Sequence, residues 1–221
     1  MAGMYTVVAG DHISRLAEQF GFAKYETIWN HPQNADLKAL RKNPNILNPG
    51  DQVYIPDADV KTLDRPADVK HSFTKPAETL KLRLVLNRMY NKPYAIVPCT
   101  LSVGSVQTDL TTDGNAQIEQ TIKRLDSAGS VKLNDQITVS GGAATIQREV
   151  DFQIGFLTPL TEVSGQIGRL ANLGYYRGPA SPPDLDEFKS AVEEFQCENS
   201  LSVDGICGPL TQAKLKSVYG C

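Results

Sequence analysis

At 221 residues the chain is too long for one small module and about right for two or three. Hydrophobic residues at 41% and charged residues at 21% fit a globular protein, and no apolar run approaches the roughly 18 residues that span a bilayer, so no membrane span is expected. A formal charge of −3 leaves no concentrated basic face, which argues against a nucleic-acid partner.

The opening, Met1-Ala2-Gly3-Met4-Tyr5, has neither the basic region nor the apolar stretch of a Sec leader. A cytoplasmic chain is expected, with any passage to the periplasm or a target cell left to another export route. Residues 5–11, Tyr5-Thr6-Val7-Val8-Ala9-Gly10-Asp11, read as a strand entering a Gly-Asp turn. Asp11 suits an N-cap, and Ile13, Leu16, Ala17 and Phe20 repeat at helical spacing until Gly21. A second apolar stretch, Tyr25, Ile28 and Trp29, breaks at Pro32 and restarts near Asn34–Ala35 with Leu37 and Leu40. Pro49-Gly50 turns the chain into a short strand ending Val53-Tyr54-Ile55-Pro56. Residues 58–78 are charged and Pro-punctuated, and read as a linker.

From 79 to 157 the pattern changes to period two. Leu80, Leu82, Leu84 and Leu86 alternate with Lys81, Arg83, Val85 and Asn87. Further short strands are expected at 94–100, 101–106, 116–122, 130–133, 136–139 and 147–154, with Asp113-Gly114, Gly104, Gly129, Gly141 and Gly142 between them. That spacing predicts a small antiparallel β-sandwich of immunoglobulin-like type. Residues 158–221 are helical: Ile167, Leu170 and Leu173 share one face before Gly174. Leu185, Phe188, Val192 and Phe195 share the next, after a capping-box pattern at 184–187. Leu215 and Val218 follow Pro209.

Two stretches resemble known families. The order strand, Gly-Asp turn, helices, Asn43-Pro44-Asn45-Ile46-Leu47-Asn48-Pro49-Gly50-Asp51, strand resembles the LysM domain, a βααβ module that binds N-acetylglucosamine-containing glycans such as peptidoglycan. The resemblance implies residues 1–57 as that module. It implies a cleft between Gly10, Asp11, His12 and Ile13 on one side and Asn43, Pro44, Asn45, Ile46 and Leu47 on the other. The chain departs from the pattern at His12, where a small hydroxyl residue is usual, and in an insertion around His31–Leu37. His12 also reads simply as a helix-start residue.

The second stretch is Leu170-x-x-Leu173-Gly174-Tyr175-Tyr176-x-Gly178, Ala191-Val192-x-x-Phe195-Gln196 and Leu201-Ser202-Val203-Asp204-Gly205-Ile206-Cys207-Gly208-Pro209-Leu210-Thr211. It resembles the peptidoglycan-binding type 1 domain, a three-helix wall module. Tyr175, Tyr176, Asp204, Gly205, Ile206 and Thr211 become candidates for wall contact, with core packing or loop building as the other reading of each. The layout of the whole chain resembles LysM-containing accessory proteins of contractile injection systems, notably type VI secretion, which implies a spike, effector or baseplate as protein partner.

Chemistry finds little support. His12, His31 and His71 show no metal-ligand spacing, no Gly-x-Ser-x-Gly elbow occurs, and Glu193-Glu194 reads as a solvated helix face. No cofactor and no metal are expected. Cys99, Cys197, Cys207 and Cys221 lack a Cys-x-x-Cys pair; Cys197 and Cys207 flank a loop that an oxidising compartment would let them bridge, and free thiols are the other reading. The expectation is a multi-domain α+β protein: a βααβ module, a β-sandwich and a three-helix bundle. Its expected function is a non-catalytic adaptor of an injection apparatus, or else a genuine wall binder or a targeting subunit for a separate peptidoglycan hydrolase.

Overall fold

A computed structural model describes residues 2–58, 64–72, 78–88, 92–139, 142–179 and 182–221. Residues 59–63 and 73–77 of the expected linker, and Gly141 of the expected turn, lie outside these residues. The described chain is mixed α+β, with antiparallel sheets and six α-helices. Its apolar interior falls into three clusters in chain order, drawn from residues 5–55, 80–154 and 160–215.

The first cluster sits between two short strands and three helices. Strand β1 (Gly3–Thr6) pairs antiparallel with β2 (Gln52–Ile55), Tyr5 opposite Val53. Between them come α1 (Ile13–Gln19), α2 (Glu26–Trp29), a 3-10 turn over Pro32–Asn34 and α3 (Ala35–Arg41). Ile13, Leu16 and Ala17 are sealed inside, and Gly21 follows α1 with φ +82°. The restart that Pro32 imposes has a structural purpose. Asn34 is buried; its amide donates to Ile28 O and Tyr54 O at 2.8 Å each, and its oxygen accepts from Tyr54 N at 2.7 Å. One side chain thus satisfies the free edge of β2 as a neighbouring strand would. Leu40, expected on the inner face, is exposed, while Arg41 makes a bidentate pair with Asp51 at 2.7 and 2.8 Å.

Helix α3 ends on Lys42 in the left-handed region, φ +59°. A residue with a Cβ is strained there. Lys42→Gly is expected to raise stability by about 0.5–1 kcal/mol, read as a higher urea midpoint with unchanged slope.

The second cluster lies between two sheets. Strands β3 (Thr79–Val85) and β8 (Gln117–Lys123) form one. A short ribbon of β4 (Asn87–Arg88) and β5 (Lys92–Pro93) lies between them in the chain. The other sheet holds β6 (Pro98–Val103), β7 (Val106–Thr111), β9 (Ala128–Val139) and β10 (Gly142–Gln153), in the order β10-β9-β6-β7. Leu80, Leu82, Leu84, Ile118 and Ile122 face Cys99, Leu101, Val103, Val131 and Leu133. Two strand expectations need correction. Residues 98–103 form one strand that turns at Gly104-Ser105 into a strand at 106–111. Residues 128–139 form a single strand, because Asn134 and Asp135 continue the ladder opposite Gln147 and Ile146 rather than breaking it.

The third cluster is held by α4 (Val163–Asn172), α5 (Leu185–Glu198) and α6 (Pro209–Tyr219), with Ile167, Leu170, Val192, Phe195 and Leu215 inside. Leu185 and Val218, expected on inner faces, are exposed. Asp184 caps α5 through Asp186 N and Glu187 N, both at 3.0 Å, but the box is not closed: Glu187 accepts from Arg177 N, and Asp184 N donates to the Tyr176 hydroxyl. Arg169 is buried and donates to Thr158 O, Gly165 O and Cys221 O at 2.7–3.0 Å, tying both ends of the module to α4. Cys197 and Cys207 are free thiols, so the bridge considered for them is not formed; burial pushes the Cys207 thiol up to about 11.

Arg124, in the turn after β8, links the first two parts. It is buried, and its guanidinium meets Glu18 of α1 at 2.5 Å and Glu78 at 3.1 Å, with Phe22 O and Ala23 O at 3.5 and 3.4 Å.

Candidate functional site

The two loops of the first candidate cleft do come together. Ile13 N donates to Pro44 O at 2.9 Å, and Ser14 Oγ donates to Asn45 Oδ1 at 3.3 Å. Asn43 Oδ1 accepts from Asn45 N, and Ile46 and Leu47 are buried beneath. The first loop, however, is not open. Gly10, Asp11, His12 and Ile13 are all buried. The segment after β10 lies against them: a Cβ on Gly10 would stand 3.0 Å from the Phe156 ring, and one on Gly155 would stand 2.7 Å from Gly10 O and 2.9 Å from His12 Cδ2. Both glycines have positive φ, +90° and +84°, so the joint needs them twice over.

The side chains of that loop are spent on folding. Asp11 Oδ2 accepts from the Tyr5 hydroxyl at 2.8 Å and from Val8 N at 3.0 Å, bracing the turn instead of capping α1. The cap is His12, whose Nδ1 accepts from Arg15 N at 3.2 Å. An accepting Nδ1 places the single proton of the neutral ring on Nε2, which is buried with no partner among the described residues. Burial first, and Arg15 second, hold the ring's pKa down at about 4 against a smaller pull from Asp11.

This ring makes stability depend on pH. The unfolded histidine takes a proton near pH 6.5, whereas the folded one resists until about 4. The contribution is complete above pH 6.5 and is lost as pH falls to 4, a loss of roughly 3 kcal/mol. His12→Asn, which caps without titrating, is expected to remove most of the difference between urea midpoints at pH 7 and pH 4.5.

The second candidate site has the opposite character. Tyr175 and Tyr176, considered as sugar platforms, are 8% and 4% exposed. Tyr175 packs edge-on against Phe195 and donates to Glu198; Tyr176 donates to Pro179 O. The open surface lies instead at the loop between α5 and α6 and the first turn of α6, where Ile206 and Leu210 are 65% and 80% exposed. They help line a pocket of about 190 Å³ together with Leu201, Pro209 and the buried Gln196 and Thr211.

Gln196 organises this loop. It is 1% exposed, and its amide reaches Asp204 Oδ1 at 2.8 Å, Thr211 Oγ1 at 3.0 Å and Ile206 O at 3.1 Å. Its oxygen accepts from Asp204 N and Gly205 N, both at 3.0 Å. Gly205, at φ +70°, lets the chain turn over it. Asp204 also accepts from Ile206 N at 2.9 Å; that bond first, and the Gln196 bond second, hold its carboxyl below the usual range. Asp204, Gly205, Ile206 and Thr211 are thus brought together, and Gln196 and Leu210 join them. Gln196 stands in the Phe195-Gln196 pair of the motif, and a lone polar residue next to a buried helix face was the available signal.

A cleft of about 180 Å³ also lies between β7 and β8, lined by Leu101, Val103, Thr108 and Ile122 among others. Cys99 lies in the apolar cluster beneath, its thiol raised by burial and by Asp109.

Comparison with known proteins picks out the same C-terminal region. The model of the peptidoglycan binding domain matches residues 168–215, from within α4 to within α6. That stretch contains the pocket, Gln196 and the Asp204–Thr211 loop. No curated protein matches the chain. No solved structure matches it either.

Proposed function

We propose that the chain is a non-catalytic peptidoglycan-binding protein whose C-terminal helical module holds the wall polymer at the pocket under Ile206 and Leu210. One observation carries the reading: the family match covers the one stretch that, among the described residues of the two candidate sites, leaves large aliphatic side chains, Ile206 and Leu210, in solvent beside a shallow, largely apolar pocket. The antiparallel pairing of β1 with β2 around α1–α3 supports reading the N-terminal unit as LysM-like, and the two facing sheets support a sandwich of immunoglobulin-like type.

A second reading, an adaptor of a contractile injection apparatus, is favoured by the covered first loop. A LysM-like unit whose Gly10–Ile13 turn lies under Phe156 serves as a scaffold. In that setting the protein docks to a spike, effector or baseplate and meets peptidoglycan after delivery. Sedimentation of the intact protein with purified sacculi tests the primary reading. Co-sedimentation is expected; protein left wholly in the supernatant would remove wall binding and leave the adaptor reading.

A further inference from the structure

The pocket between α5 and α6 fits one part of peptidoglycan better than the other. Its volume of about 190 Å³ is below the roughly 300–1,000 Å³ of sites that enclose a whole drug-sized ligand, so it suits a short branch. A sugar ring offers a broad C–H face that a flat aromatic ring matches. Among the described residues no aromatic ring lines this pocket, and Tyr175 and Tyr176 are sealed in the core. The walls are aliphatic, as methyl-bearing side chains require.

Charge points the same way. Asp204 is the one charged residue of the lining, and among the described residues both of its side-chain hydrogen bonds to other residues end on Oδ1. Its other oxygen is left to accept from a ligand. Lys189 packs its stem on Gly205, but its ammonium lies 3.8 Å from Glu193. The mouth of the pocket therefore complements a cation.

We infer that the pocket takes the peptide branch of the polymer, an alanine methyl entering the aliphatic hole and the free ammonium of a diamino acid meeting Asp204, and not the glycan strand. This rests on the wall-binding reading above.

The test uses the intact protein with three materials: purified sacculi, glycan strands freed of peptide by an amidase and captured on beads, and a soluble stem tripeptide carrying a diamino acid. Binding to sacculi is expected, at least about tenfold weaker to stripped strands, and displaced by the tripeptide. Asp204→Asn keeps an oxygen for the loop and is expected to weaken sacculus binding about tenfold; Leu210→Ser, at an exposed position, is expected to do the same. Equal binding to stripped strands, or an Asp204→Asn variant that binds as the parent does, would overturn the inference. Sacculi left unbound alongside unbound strands would instead overturn the wall-binding reading beneath it.

Discussion

Arg124→Ala is expected to lower stability by about 3–5 kcal/mol and to separate the melting of the N-terminal unit from the rest. The guanidinium is 2% exposed and satisfies two carboxylates and two carbonyls. Its loss leaves Glu18 and Glu78 facing each other and Phe22 O and Ala23 O without a donor. Both carboxylates keep about a third of their surface in water, which places the effect toward the lower end. The sole tryptophan, Trp29, is buried in the N-terminal cluster, so its fluorescence reports that unit alone. A urea transition by Trp29 fluorescence well below the transition by circular dichroism is the expected signature. A variant with the parent's single midpoint would contradict the joint.

Gln196→Ala is expected to cost about 2–4 kcal/mol and to abolish measurable sacculus binding. Two backbone N–H groups, Asp204 N and Gly205 N, lose their acceptor, and Asp204 Oδ1, Thr211 Oγ1 and Ile206 O lose a donor. Among the described residues no other side chain makes as many hydrogen bonds to the loop that presents Ile206. Gln196→Glu separates shape from charge. It keeps the acceptor for Asp204 N and Gly205 N but sets a carboxylate against Asp204, so its stability is expected to recover as pH falls. Thermal melts of both variants and the parent from pH 5 to 8 check this; a Gln196→Glu deficit relative to the parent that is largest at pH 5 would contradict it.

The sequence was most readable where local chemistry decides the outcome. Ile13, Leu16 and Ala17 repeat on one helical face and are buried; Leu80, Leu82 and Leu84 alternate and face the opposite sheet; Pro209 opens α6 and Gly174 closes α4. It was least readable where a distant segment intervenes. Nothing local to Gly10-Asp11-His12 announces that Gly155 and Phe156 will cover it, because that contact spans about 145 residues of chain. The same holds for Arg124, a turn residue by pattern and a buried tie in the fold. The Tyr175-Tyr176 pair left two readings open for a different reason: each tyrosine carries both an apolar body and a polar tip, and the fold buries the body and uses the tip for Glu198 and Pro179. In the strands, Asn134-Asp135 fell between two expected strands, yet pairing along the whole of β9 and β10 outweighed the two residues' weak strand preference.

The most direct measurement compares sacculus affinity of the intact protein with two variants made at exposed or solvent-edge positions, Ile206→Ser/Leu210→Ser in the α5–α6 loop and Asn45→Ala in the N-terminal loop. A loss of about tenfold or more is expected for the first and parent-like binding for the second. Parent-like binding by the double variant, with binding lost in Asn45→Ala, would contradict this expectation and return the site to the N-terminal unit.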